Sequence, residues 1–296
     1  MAKDNPKEER MRFEYLEPKN IKEAVSLLTK YNGKAKIIAG GTDLYVKIRN
    51  KTLKPEYLVD IEGIRGLDYI KCDNKDGLRI GALTKIRSLE KSSELLNKYP
   101  LTAQAASQLG SVAIRNVGTI GGNLCNAAPS AECAPALLCL SAKAKIVGPN
   151  GERVVPFEEF FIGPGITVLG KGEILTEIQI PVIKPHTKGV YLKHGLRGTV
   201  DPAIVGVAAL ATFESDGKRC QDIKLALGAV APTPIRAKQA ENLLWGKIID
   251  EVLINSSAEA AAKESCCITD VRASEGYRKE MVRVFTRRAL REIVSG

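Results

Sequence analysis

Long apolar runs are missing from this chain of 296 residues, and so is any apolar segment near its start, Met1-Ala2-Lys3-Asp4-Asn5-Pro6. A bilayer-crossing helix needs about 20 consecutive apolar residues. No membrane span or secretory leader is therefore expected, and the expected location is the cytoplasm. Aromatic residues make up only 5% of the chain, few for the stacking platforms that hold single-stranded nucleic acid. There are two histidines, His186 and His194, and neither lies near a paired nucleophile, which removes the hydrolytic triads. Pairs of the C-x-x-C type that build common zinc and iron-sulfur sites are lacking too. The seven cysteines are odd in number and fit reduced thiols better than a disulfide framework. Cys125, Cys133 and Cys139 cluster, but the last two fall in an Ala/Leu-rich run where Cys packs as a small hydrophobe. Adjacent Cys266 and Cys267 do not readily bridge.

What is present is ordinary for a folded chain: 44% hydrophobic and 26% charged residues, enough for two domains. The formal net charge of +10 is spread among interleaved acids, which suits an anionic cofactor or an acidic partner and gives no nucleic-acid stripe. Asn20-Ile21-Lys22-Glu23 reads as a capping box opening a helix that Gly33 ends. A short buried strand, Lys36 to Ala39, then runs into Gly40-Gly41-Thr42-Asp43. Strands follow at Tyr57 to Ile61, Tyr69 to Lys71 and Leu78 to Ile80, and helices at Leu101 to Leu109 and Ala134 to Ala142. Lys145 to Gly148 and the alternating Glu173 to Ile180 read as strands. Pro181 to Gly189, poor in apolar residues, is the expected boundary. Beyond it come strands at Val205 to Phe213 and Lys224 to Val230, then helices through Leu244, Val252 to Ala262 and Tyr277 to Val294. The fold class is α+β with an α/β beginning.

Two glycine pairs stand out: Ala39-Gly40-Gly41-Thr42-Asp43-Leu44 and Gly118-Thr119-Ile120-Gly121-Gly122-Asn123. Glycine allows positive φ and close approach, exposing successive N–H groups that cradle phosphate. Either loop alone also suits an ordinary strand-to-helix turn. Together they could hold the two halves of one pyrophosphate. Neither is a G-x-G-x-x-G or Walker loop, which argues against a Rossmann site and an NTPase.

On these loops, and on further stretches, the chain resembles the FAD-binding subunits of the xanthine dehydrogenase and carbon monoxide dehydrogenase family. The further stretches are Lys193 with Arg197 and Asp201-Pro202-Ala203, Leu227 to Ala237, and Asp270 to Ser274 with Tyr277-Arg278 and Arg287 to Leu290. The similarity runs from about Phe13 to Ile293. The polar residues 1–10 are expected to be a disordered extension, and the similarity implies a two-subdomain FAD-binding domain of the vanillyl-alcohol-oxidase type over 11–184, split near 62–66. An α+β C-terminal domain, an antiparallel sheet with helices, would occupy 185–296.

The resemblance also implies roles. Ile37, Ile38, Ala39, Gly40, Gly41, Thr42, Asp43 and Leu44 would form the first cofactor loop, and Gly118, Thr119, Gly121, Gly122 and Asn123, with Asn126, the second. Glu132 matches a family Asp at the ribose end of the cofactor; from the sequence it reads equally as a helix N-terminal acid. Leu169 matches an apolar residue beside the isoalloxazine, and Leu109 a position that is aromatic in mammalian relatives; either would serve as core. Lys193 matches a lysine near the flavin, where its charge would favour the anionic reduced ring; otherwise it is a surface lysine. The implied partners are a [2Fe-2S] subunit and a molybdenum-cofactor subunit in a heterotrimer, with dimerisation of that unit open. NAD or another carrier would be the electron acceptor. The rival readings are a stand-alone flavoprotein oxidase or reductase of the same cofactor fold, and a basic module that binds nucleotides without redox chemistry.

Overall fold

The computed structural model describes residues 13–198 and 200–295; the expected N-terminal extension lies outside them. The chain opens as β1 (Glu14–Leu16), α1 (Ile21–Lys30), β2 (Ala35–Ile38), α2 (Thr42–Arg49) and β3 (Tyr57–Asp60). The strands form a parallel sheet in the order β1-β3-β2. Asn20 caps α1 by accepting from the Glu23 N–H at 3.0 Å. The Glu23 carboxylate reaches back one residue further than a capping box requires, to the Lys19 N–H at 2.8 Å. Ala24 and Val25 then pack on Val59, Ile61 and Leu83 in a small core.

The middle of the chain runs β4 (Ile70–Asp73), β5 (Gly77–Gly81), α3 (Ile86–Lys91), α4 (Ser93–Lys98), α5 (Pro100–Ser107), α6 (Val112–Val117), α7 (Ile120–Cys125), α8 (Cys133–Cys139), β6 (Lys143–Gly148), β7 (Gly151–Pro156), α9 (Phe157–Phe160), β8 (Phe161–Gly163), β9 (Ile166–Thr167) and β10 (Ile174–Ile180). Its antiparallel sheet has the order β4-β5-β10-β6-β7, and its helices bury one large core. All of α8 is buried, Cys133 and Cys139 included. Burial pushes the Cys139 thiol up to about 12, the behaviour of an inert packing cysteine.

The last part is β11 (Thr187–His194), β12 (Val205–Phe213), β13 (Cys220–Gly228), β14 (Ile235–Arg236), α10 (Lys238–Leu244), α11 (Glu251–Glu264) and α12 (Glu275–Ser295). The four strands pair antiparallel in sequence order. Side chains alternate across a strand. Val207, Ala209 and Leu225 face the core under the C-terminal helices, while Ala208 and Ala226 join the middle core. Covered on both faces, β12 reads as a continuous apolar run. The apolar-poor stretch expected as a boundary is partly strand: Thr187 to Gly189 pair with Thr212 to Leu210. Thr187 shares a hydroxyl hydrogen bond with Thr212 at 2.7 Å, and a Cβ on Gly189 would meet the Leu210 side chain at 2.8 Å. Among the described residues no helix is long and apolar enough to cross a membrane.

The motif around Asp270 is an anchor. Arg278, 2% exposed, donates to the carbonyls of Ile204 at 2.8 Å and Ala229 at 3.1 Å and to Asp270 at 2.7 Å. Arg272 and Arg278 hold the Asp270 carboxyl well below the usual carboxylate range. Arg278→Met should leave both carbonyls without their donor and destabilise the chain by roughly 2–4 kcal/mol, read from urea unfolding.

Candidate functional site: a cleft between two glycine loops

β2 ends at Ile38 and the chain turns through Gly41, whose φ of +67° lies in the left-handed region, into α2. No side chain caps this helix. The N–H groups of Gly40 through Leu44 have no protein acceptor among the described residues. Free amides at a helix N-terminus favour an anion. Gly40 has a different task. A Cβ there would sit on the Val117 carbonyl oxygen, 2.8 Å from its carbon and 2.9 Å from the Gly118 Cα. Glycine at 40 is what lets the first loop lie against the second.

The second loop is built otherwise. Thr119 caps α7, accepting from the Gly122 N–H at 3.0 Å. Ile120 N–H donates to Thr84 O, Gly121 N–H to Ala82 O and Asn123 N–H to Thr119 O. The expectation that both loops present successive free amides therefore fails for this one: Ile120 and Gly121 fasten α7 to the segment after β5, Gly122 and Asn123 bond back to Thr119, and of the amides from Thr119 to Asn123 that of Thr119 alone has no acceptor among the described residues. Gly121 is there for that packing, since its Cβ would lie 2.6 Å from Ala82 O. Side chains are what this loop offers: the Thr119 hydroxyl, and Asn123, whose Oδ1 is buried without a donor.

Between the loops lies a cleft of about 640 Å³, within the usual range for cofactor pockets. The structure brings together on its wall Ile37 through Leu44, Leu109, Gly118, Thr119, Gly121, Gly122, Asn123, Asn126 and Leu169. Sequence reasoning missed Lys47, which also lines it and whose ammonium donates to Asn126 Oδ1 at 2.6 Å, linking α2 to the end of α7. Its signal was the i,i+4 spacing from Asp43, which puts both on one helix face. Cys125 is on the wall as well, with a thiol that burial pushes up to about 12.

Glu132 and Lys193 do not line the cleft. They face each other at 3.0 Å, each side chain 8% exposed. Glu132 sits at the N-terminus of α8 without making a capping bond. The Lys193 ammonium also donates to Gln108 O at 2.8 Å and Asp201 O at 2.7 Å, which occupies its three hydrogens. Lys193 is thus a buried clamp, neither a surface lysine nor a charge free for a ligand. Burial raises the Glu132 carboxyl above the usual range; Lys193 offsets this in part, and Asp43 adds to it. Asp201 holds the same turn by accepting from the Arg197 N–H at 2.7 Å.

These features fit FAD: free amides for its pyrophosphate, an unpaired carboxamide oxygen for a hydroxyl, and leucines for a flat ring. Residues 11–183 match the family described as FAD binding domain in molybdopterin dehydrogenase, and residues 191–293 match CO dehydrogenase flavoprotein C-terminal domain. The chain is 33% identical to the glyceraldehyde dehydrogenase medium chain of Sulfolobus acidocaldarius, covering 95% of this chain and 98% of that one. It is 32% identical to the xanthine dehydrogenase FAD-binding subunit of Escherichia coli O157:H7, covering 93% and 94%. Subunit alpha of the 6-hydroxypseudooxynicotine dehydrogenase complex of Paenarthrobacter nicotinovorans is 31% identical, with 94% and 93% covered. Among solved structures, reconstituted CO dehydrogenase from Oligotropha carboxidovorans superposes with a TM-score of 0.92 at 32% identity, covering 96% of this chain and 98% of that one. The chain belongs to the FAD-binding medium subunits of the molybdenum hydroxylase dehydrogenases, and it is an oxidoreductase component whose cofactor is FAD.

Proposed function

We propose that this chain takes electrons from a [2Fe-2S] subunit and passes them from FAD to an external acceptor such as NAD, within a heterotrimer completed by a molybdenum-cofactor subunit. The observation that carries the reading is the cleft itself. It joins an anion-binding loop to apolar residues such as Leu109 and Leu169, and of its lining carboxylates only Asp43 has no partner, so the described residues offer no carboxylate or histidine pair for acid–base work on an organic substrate. Its ionisable lining is Lys36, Asp43, Lys47, Cys125, Lys171 and Glu173. Lys47 and Glu173 are engaged with Asn126 and Arg153. A stand-alone oxidase or reductase would need such a pair facing the ring.

Bound FAD would supply the redox chemistry, accepting electrons singly and releasing them in pairs. The protein's part is to hold and shape. The amides of Gly40 to Leu44 would take the pyrophosphate, the Thr119 hydroxyl and the Asn123 carboxamide would add polar contacts from the second loop, and the Lys47–Asn126 link would brace α2 against the end of α7. Leu109 and Leu169 would pack beside the ring and exclude water from it. The organic substrate is oxidised on the molybdenum subunit.

Anaerobic mixing of the FAD-loaded chain with its reduced [2Fe-2S] subunit should bleach the flavin band, and added NAD should restore it. Bleaching by a small organic substrate on the isolated chain, with none from the iron-sulfur subunit, would favour the stand-alone flavoenzyme.

A further inference from the structure

Two of the leucines that line the cleft, Leu109 and Leu169, are each flanked by an arginine–carboxylate pair. On one side of the Leu109 peptide, Lys193 donates to Gln108 O at 2.8 Å; on the other, Arg115 Nη1 donates to Leu109 O at 2.9 Å. Arg115 is 8% exposed, and its Nε meets Glu90 Oε2 at 2.8 Å, while Arg87 holds Glu90 Oε1 at 2.6 Å. Around Leu169, Arg153 Nη2 donates to Val168 O at 2.9 Å and Glu173 accepts from the Gly170 N–H at 2.6 Å. Arg153 and Glu173 are joined by a double contact at 2.7 and 2.6 Å. In both places a guanidinium fork takes a carboxylate and a backbone carbonyl: at Arg115 through Nη1 to the carbonyl of Leu109 itself, at Arg153 through the Nη2 that also meets Glu173. A lysine ammonium lacks that planar fork.

A buried guanidinium is costly unless paired, and Arg115 is paired with Glu90 on α3 and with the carbonyls of Leu109 and Gly110, so it ties that turn to α3. It stands on α6, whose far end runs into Gly118 and the second loop. The same segment lines two cavities: Leu109 and Ile114 face the cleft, while Gln108, Gly110, Ser111 and Arg115 face a smaller space of about 330 Å³. Any drift of this wall would move Leu109.

We propose that Arg115 with Glu90, and Arg153 with Glu173, are positioning residues that set where Leu109 and Leu169 stand against the flavin ring. The inference rests on the reading that these leucines pack beside that ring.

The test uses the full chain loaded with FAD and reads FAD per chain, the visible flavin spectrum, and quenching of flavin emission by iodide. Leu109→Ala and Leu169→Ala should shift the spectrum and raise the quenching constant about threefold as water replaces an apolar face. Arg115→Lys should reproduce the Leu109→Ala change, and Arg153→Lys the Leu169→Ala change, with FAD content kept. The paired variants Arg115→Lys/Leu109→Ala should add nothing further, as coupled residues do. Arginine variants with native spectrum and quenching overturn the proposal, and so does loss of FAD from Arg115→Lys, which would assign that residue to the second loop. Should Arg115→Lys not fold, Glu90→Gln must give a smaller shift in the same direction, and no shift overturns the proposal. If the leucine variants themselves change nothing, the placement of the leucines fails, and not the clamp.

Discussion

Gly40→Ala is expected to lower FAD affinity by roughly 100-fold, or about 2.8 kcal/mol at 1.4 kcal/mol per tenfold. The atoms that a Cβ would meet are all backbone: the Val117 carbonyl and the Gly118 Cα. No side chain can rotate away to make room, so the loops must part. The free amides of Gly40 to Leu44 would then move off the Thr119 and Asn123 side chains that complete the site. Titration of apoprotein with FAD measures the loss. Gly276→Ala is the control, because nothing lies within 4 Å of a Cβ there. Native affinity in Gly40→Ala would show that loop contact does not hold the cofactor.

Lys193→Met should cost about 3–5 kcal/mol, the usual penalty for removing one partner of a buried ion pair. The variant leaves Glu132 in a site where burial already raises its carboxyl above the usual range, and without Lys193 the rise is larger. A carboxyl raised in the folded state favours folding while protonated, and that contribution is lost as pH rises through its folded value. The destabilisation should therefore be smaller at mildly acid pH than at mildly alkaline pH, as measured by urea unfolding at both. Glu132→Gln added to Lys193→Met should recover part of the loss. Equal losses at both pH values would mean that Glu132 finds another partner.

Much of this was legible in the sequence because the signals are local. Asn20 and Glu23 are three residues apart, α1 has a clear apolar face, and Gly40 and Gly121 are required sterically while Gly41 is required by its positive φ. Their task was harder to read. Gly40 and Gly121 serve close backbone packing, and only the first loop leaves a run of successive amides free, a distinction that depends on Ala82 and Thr84 in another segment. β7 escaped because it is an edge strand with Val155 as its only buried residue, so no alternation shows. α3, α4 and α6 have six residues each, too short for a helical period to register. Lys193 was illegible for a different reason. Two of its partners, Gln108 and Glu132, lie 85 and 61 residues away, and the third, Asp201, receives it through a backbone carbonyl that no side-chain pattern marks. Arg115 and Glu90 are likewise joined only by the fold.

The most direct test is the visible absorption spectrum of the natively purified chain, followed by extraction and identification of its cofactor. Flavin bands with one released FAD per chain, both reduced in Gly40→Ala, are the expected result. A colourless chain that refuses added FAD, even with its iron-sulfur and molybdenum partners present, would contradict a cofactor site between the two glycine loops.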